Sequence, residues 1–296
     1  MTTTAEGRWR KSTGCMGCDH LVACTAVTSC LDSPTDAARL DAVSRAVAYM
    51  SENLGQPQRL TDIAQAALLS PFHFHRVFRH ITSTTPARFL AALRMAEARR
   101  LLLTTTMSVT EVCLAVGYSS LGTFIGQFSK FTGMSPRRFR VAMANLGALR
   151  LADLVDRGHG DTSQPGPFGT VTGGHREGGC AVIALFRDDS EVEQPAGYGV
   201  LQTNRVARMA PVANGTYRAV ALGFDRLASL TEVFARPAIK ADFLGTSTTP
   251  IVVSDGRASH AFHVALRRPR PIDPPVEVTP ELLRLAGETL REKGCA

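Results

Sequence analysis

The chain has 296 residues, 44% of them hydrophobic and 20% charged, which is the makeup of folded protein and length enough for two separately cored units. Nothing in it approaches the roughly 18–20 consecutive apolar residues of a membrane-crossing helix, and the opening MTTTAEGRWRKSTG leads into no apolar leader core, so a cytoplasmic location is expected. Seven cysteines, an odd number, argue against a disulfide framework, and the formal charge of +7 is concentrated. Asp41 to Asn145 carries twelve basic against five acidic side chains, which leaves the rest neutral and suggests a polyanionic partner for the basic part.

Residues 1–36 are expected as a disordered extension. They hold Cys15, Cys18, Cys24 and Cys30, with His20 close by. A CxxC pair with two further cysteines has the ligand types for zinc or an iron–sulfur cluster. Against that, the second pair lacks CxxC spacing and no strand or turn framework surrounds it. These four are the candidate metal ligands, and the main reading has no cofactor.

Leu40, Val43, Val47, Met50 and Leu54 follow a helical period that Gly55 and Pro57 stop. A repeat of about fifty residues comes next. TDIAQAALLS (Thr61–Ser70) lies over TEVCLAVGYS (Thr110–Ser119), and after one inserted residue Phe74, Phe78, Thr82, Pro86, Arg88 and Phe89 fall on Phe124, Phe128, Thr132, Pro136, Arg138 and Phe139. Each copy predicts a helix, a short turn and a second helix, about 71–81 in one copy and 120–131 in the other. Gly117 suits a left-handed turn, whereas Leu68 in the same place means strain or a different shape. PARFLAALRMAEARRLLL (Pro86–Leu103) predicts a long helix between the copies.

SPFHFHRVFRH (Ser70–His80) raises the question of a metal site. On a helix His73 and His75 point about 200° apart and His80 lies two turns on, so the three cannot converge on one ion. With Phe74, Val77, Phe78 and Ile81 turned inward, Phe72, His75, Arg76 and Arg79 share an outer face fit for a major groove.

LTDIAQAALLSPFHFHRVFR, RMAEARRLLL, SVTEVCLAVGYSS and FTGMSPRRFR together resemble the double helix-turn-helix DNA-binding domain of the AraC/XylS transcription regulators, over about a third of the chain. The resemblance implies a sequence-specific regulator, not an enzyme, that places two recognition helices in successive major grooves of double-stranded DNA. RNA polymerase is a second expected partner. Base contacts are expected from Phe72, His75 and Arg76 in the first helix and from Leu121, Thr123, Ile125 and Gln127 in the second. Phosphate contacts are expected from Ser70, Arg79, Arg94, Ser119, Ser120, Lys130, Arg137, Arg138 and Arg140. The second helix departs from the family, with Ile125 and Gly126 where polar or basic residues are usual, so the first is expected to carry most of the specificity. The N-terminal cysteines do not match those of the methyl-phosphotriester repair domains found ahead of related modules. A metal- or redox-responsive DNA-binding sensor built on them is the alternative reading.

The fold class expected is therefore a mainly α DNA-binding domain, two helix-turn-helix units joined by a long helix over 37–145, plus a separate all-β sandwich-like domain over 166–275. DRGHGDTSQPGPFG, which begins at Asp156, reads as linker, and the linker is set at 146–165. Short β runs follow (FGTVTG, AVIALFR, GYGVLQT, GTYRAVALGF, PIVVS, HAFHVALRR), with a helical DRLASLTEVFA among them. PVANGTYRAVAL resembles a hairpin of small transthyretin-like or carboxypeptidase-regulatory-like sandwiches. Residues 276–296 form a terminal amphipathic helix and tail. This half is expected to sense a small-molecule effector or mediate interaction; His260 and His263 fall on opposite strand faces, and no catalytic constellation accompanies them.

Overall fold

The computed structural model describes residues 34–155, 166–175, 178–187, 195–236, 241–273, 276 and 278–292. Helices come first: α1 (Pro34–Glu52), α2 (Leu60–Ala66), α3 (Pro71–Thr82), α4 (Pro86–Thr104), α5 (Val109–Ala115), α6 (Leu121–Thr132) and α7 (Pro136–Leu146). The first unit is α2 and α3 with α1 and the start of α4 around them. The second is α5, α6 and α7 against the end of α4.

The sequence repeat persists down to single hydrogen bonds. Asp62 accepts from the Arg59 amide at 3.1 Å as Glu111 does from the Ser108 amide at 2.7 Å, so both first helices open on the same acidic cap. Thr82 and Thr132, fully buried at the ends of α3 and α6, donate to the Phe78 and Phe128 carbonyls at 2.8 Å each. Thr85 and Ser135 cap the third helices by accepting from the Arg88 and Arg138 amides. Phe78 meets Phe89 edge-on at 5.4 Å between centroids, and Phe128 meets Phe139 at 5.6 Å. Such pairs are worth about 0.5–1.5 kcal/mol each beyond the area they bury.

After α7 the chain stays ordered through a 3-10 turn, Leu151–Leu154, whose two leucines are fully buried. The Leu151 amide donates to the Ala228 carbonyl at 3.0 Å and the Leu230 amide to the Leu149 carbonyl at 2.9 Å, so the start of the expected linker is pinned to the second half.

That half is β1 (Phe168–Thr172), β2 (Gly179–Arg187), β3 (Gly197–Gln202), β4 (Val206–Arg208), β5 (Gly215–Asp225), α8 (Leu230–Phe234), β6 (Phe243–Thr246), β7 (Ile251–Ser254), β8 (Arg257–Ala258), β9 (Phe262–Ala265) and α9 (Thr279–Glu292). One sheet runs β4-β1-β9, with β1 and β9 parallel. The other runs β3-β2-β5-β7-β8, with β6 also paired to β5. Bridges from Leu244 to Arg267 and from Ser247 to Val264 join the two at β6 and β9, so the β-rich region is a curled sheet system. The segment before β5, expected as part of a hairpin, instead carries the chain between sheets. There the buried Tyr217 donates its hydroxyl to the Ala213 carbonyl at 2.6 Å, the geometry of a tyrosine corner.

β2 explains how the halves meet. Its residues are buried without a break from Gly179 to Leu185, as a strand covered on both faces requires. Ala181, Ile183 and Leu185 face the small sheet through Val171, Phe262 and Val264. Cys180 and Val182 join the apolar cluster that holds Phe124, Phe128, Phe139 and the leucines of α9. The β-rich region thus has its own inter-sheet core and shares a second one with the second helical unit.

Candidate nucleic-acid interface

Each candidate recognition helix follows a turn that needs a left-handed residue. Gly117 has φ +81° and Leu68, at the matching place, has φ +58°, so the two turns share one shape and Leu68 bears the strain, about 1–2 kcal/mol for a side chain in that region. Leu68 is 76% exposed and has room there. A Cβ on Gly117 would lie 2.5 Å from the Leu54 carbonyl oxygen and 2.8 Å from an Arg94 nitrogen. The ends of α3 and α6 repeat the pattern, with Ser83 at φ +57° and Gly133 at φ +77°.

α3 begins at Ser70 with Pro71 in its first turn, where a missing amide costs nothing. Phe74, Val77, Phe78 and Ile81 are buried. The opposite face is open: Phe72 is 83% exposed, Arg76, Arg79 and His80 are exposed, and His73 and His75 are half-buried. Among the described residues Arg76 and Arg79 make no side-chain hydrogen bond or ion pair, so their charge is available to a ligand. Ser70 caps without using its hydroxyl, which leaves that group and the first amides of α3 facing outward, an arrangement suited to a phosphate.

α6 presents less. Phe124, Phe128 and Thr132 are buried; Leu121, Gly122, Thr123 and Gly126 are exposed; Ile125 and Gln127 are half-buried, and Ile125 packs against the core on one side. Ser120 accepts from the Thr123 amide at 3.4 Å, and Ser119 beside it is exposed. A Cβ on Gly126 would meet nothing within 4 Å, so nothing inside the molecule demands a glycine there. Lys130 sits exposed in the last turn, and Arg137 and Arg138 are exposed at the start of α7. Both outer faces are open with the β-rich region in place.

Two arginines expected at phosphates are placed otherwise. Arg94 reaches from α4 to the Leu54 carbonyl at 3.2 Å and the Gln56 carbonyl at 2.8 Å, with its guanidinium 5.6 Å from the Tyr118 ring centroid. Burial draws its pKa below the ordinary arginine value, against the opposing pull of the Tyr118 phenol. Arg140 reaches from α7 to the Leu102 carbonyl at 3.1 Å and the Met107 carbonyl at 2.6 Å. Each ties a third helix to the chain entering its unit's first helix, and Arg94 touches both units. The approach is close because Gly55 has no side chain: a Cβ there would lie 2.8 Å from the Ala115 carbonyl oxygen. Gly55 and Gly117 were the sequence signal for this contact, which spacing alone did not read.

Among the described residues no three His, Cys, Asp or Glu side chains come together as metal ligands. Cys15, Cys18, Cys24 and Cys30 lie outside those residues. No described helix is long and apolar enough to cross a membrane.

Two trihelical units, each showing the outer face of the helix after a tight turn, with cations at its edge, define a helix-turn-helix DNA-binding domain. Residues 63–142 match the family described as "Helix-turn-helix domain". The melibiose operon regulatory protein of Escherichia coli K12 is 29% identical over 98 residues, which are 33% of this chain and 32% of that protein. The bifunctional transcriptional activator/DNA repair enzyme AdaA of Bacillus subtilis 168 is 30% identical over 92 residues, 31% of this chain and 44% of that one. Among solved structures, the DNA-binding domain of AdpA in complex with a target DNA is 32% identical, with a TM-score of 0.35, covering 36% of this chain and 95% of that one. The chain thus spans a third to under half of these two curated relatives.

Proposed function

We propose that this protein is a sequence-specific DNA-binding transcription regulator and not an enzyme. The observation that carries the reading is the pair of open helix faces, α3 and α6, in duplicated units that hold the chain's whole net positive charge. Arg76 donates to a guanine edge, His75 and Phe72 contact neighbouring bases, and Phe72 suits a thymine methyl. Leu121, Thr123, Ile125 and Gln127 offer little hydrogen bonding, so α6 chiefly positions the protein. Ser70, Ser119, Ser120, Arg79, Lys130, Arg137 and Arg138 hold phosphates.

Residues 37–145 serve as the DNA-binding domain. Residues 166–275 serve as a sandwich-like sensing or interaction domain, a reading the tyrosine corner supports, and α9 is its terminal helix. RNA polymerase and a small-molecule effector are the further partners, and the cytoplasm is the site of action. The test is selection of bound sites from random duplexes with the full chain, followed by mutation of each selected base pair. Enrichment of one two-part site, with greater sensitivity in the half read by α3, is expected. Binding that weakens with salt but enriches no sequence would overturn the proposal.

A further inference from the structure

The segment that leaves the β-rich region crosses both DNA-binding units. Its turn is braced: Arg267 donates twice to Asp273, at 2.8 Å each, and Asp273, only 4% exposed in its side chain, also accepts from the Arg270 amide at 2.6 Å. Ile272, beside that brace, is buried in the apolar cluster that forms the core of the first unit. Six residues on, Val278 and then Leu282, Leu283, Leu285 and Ala286 of α9 are buried in the core of the second unit. Thr279 accepts from Arg99 of α4 at 2.6 Å, and Pro280 lies 3.1 Å from where a Cβ of Gly133 would be, at the end of α6. One short braced stretch therefore grips both units while both outer faces stay open.

We infer that residues 267–273 and 278–292 act as a positioning strap that fixes α3 relative to α6, so that the spacing tolerated between the two halves of a DNA site is set by the C-terminal part of the chain. Ile272 and Thr279 are its positioning residues. The inference rests on the proposed DNA reading. One base pair inserted between half-sites moves the far half by about 3.4 Å and turns it by about 35°. Two units held as one body cannot follow that displacement, whereas two units joined only by α4 and the Arg94 contact have more freedom to do so.

The experiment compares the full chain with Ile272→Asp and Thr279→Val. Its DNA arm measures affinity for the selected duplex and for versions one base pair longer and shorter. The parent should lose about tenfold or more at the wrong spacing, the size of one mismatch. In Ile272→Asp that ratio should shrink several-fold, and in Thr279→Val by less. Its second arm needs no DNA: labels at His80 and Lys130, introduced as non-natural amino acids, report the distance between the two helices. A narrow distribution in the parent that broadens or shifts in Ile272→Asp supports the strap. If Ile272→Asp does not fold, Ile272→Ala is read in the same two ways. A folded variant with the parent's distance distribution and the parent's spacing ratio would overturn the strap. Broadening without any sequence-selective binding would instead overturn the DNA reading and leave the strap standing.

Discussion

Leu68 and Gly117 share a backbone conformation but not the same surroundings. At Leu68 the side chain points to solvent, so Leu68→Gly removes left-handed strain and should leave stability unchanged or raised by up to about 1 kcal/mol once the glycine's extra unfolded freedom is counted. Gly117→Leu restores the strain and drives a side chain into the Leu54 carbonyl and Arg94, so it should cost more than about 2 kcal/mol. Urea unfolding of the two variants decides this; equal losses would mean the turns are not alike. Arg76 belongs to the same scale. Arg76→Ala should weaken specific binding by about 1–3 kcal/mol and relax one base position, and an unaltered base-preference profile would remove it from the reading face. Phe74 and Phe78 were legible as core because they share one helix face with Val77 and Ile81 at the helical period. Arg94 was not, since its carbonyl partners sit about forty residues back and nothing local announces them.

At the scale of elements, α6 is the helix to test. Gly126→Ala should raise helix stability by about 0.8–1.0 kcal/mol, because the new methyl meets open space. If the bare face serves close approach to DNA, affinity should fall as the melting temperature rises; a gain in both would show that the approach is not used. α5 offers a pH test. The Glu111 carboxyl is held below the usual carboxylate range first by the Ser108 amide and then by the Ser108 hydroxyl. Its folded value is depressed, so its contribution is whole above the unfolded value of about 4.3 and is lost as pH falls through the folded one. Glu111→Ala should therefore lower the melting temperature near neutrality, and the gap to the parent should close in acid. A gap constant across that range would rule out the cap. The longer strands were readable from alternation or unbroken apolar runs; β4 and β8, with three and two residues, are too short to carry a pattern, and long-range pairing makes them.

At the scale of the molecule, the repeat and the change of composition near residue 150 marked two halves, and both exist. What the sequence did not disclose is that they share a core, since Ile272 sits in a proline-rich stretch and Leu151 in an expected linker, and each gains its burial from residues far along the chain. Shared burial predicts one cooperative unfolding transition for the second unit and the β-rich region together. It also predicts that a fragment ending near residue 147 would bare Phe139, Met143 and Phe128 where α8 and α9 now lie, and would aggregate unless solubilised. A soluble fragment with the parent's melting temperature would contradict both. β2 carries this furthest. Its odd- and even-numbered side chains look into different rooms, so one strand is a party wall. Fluorine probes set alternately along it, at Val182 and Ile183 for instance, would let a single spectrum listen on both sides, and would tell whether news of DNA arriving on one side is heard on the other.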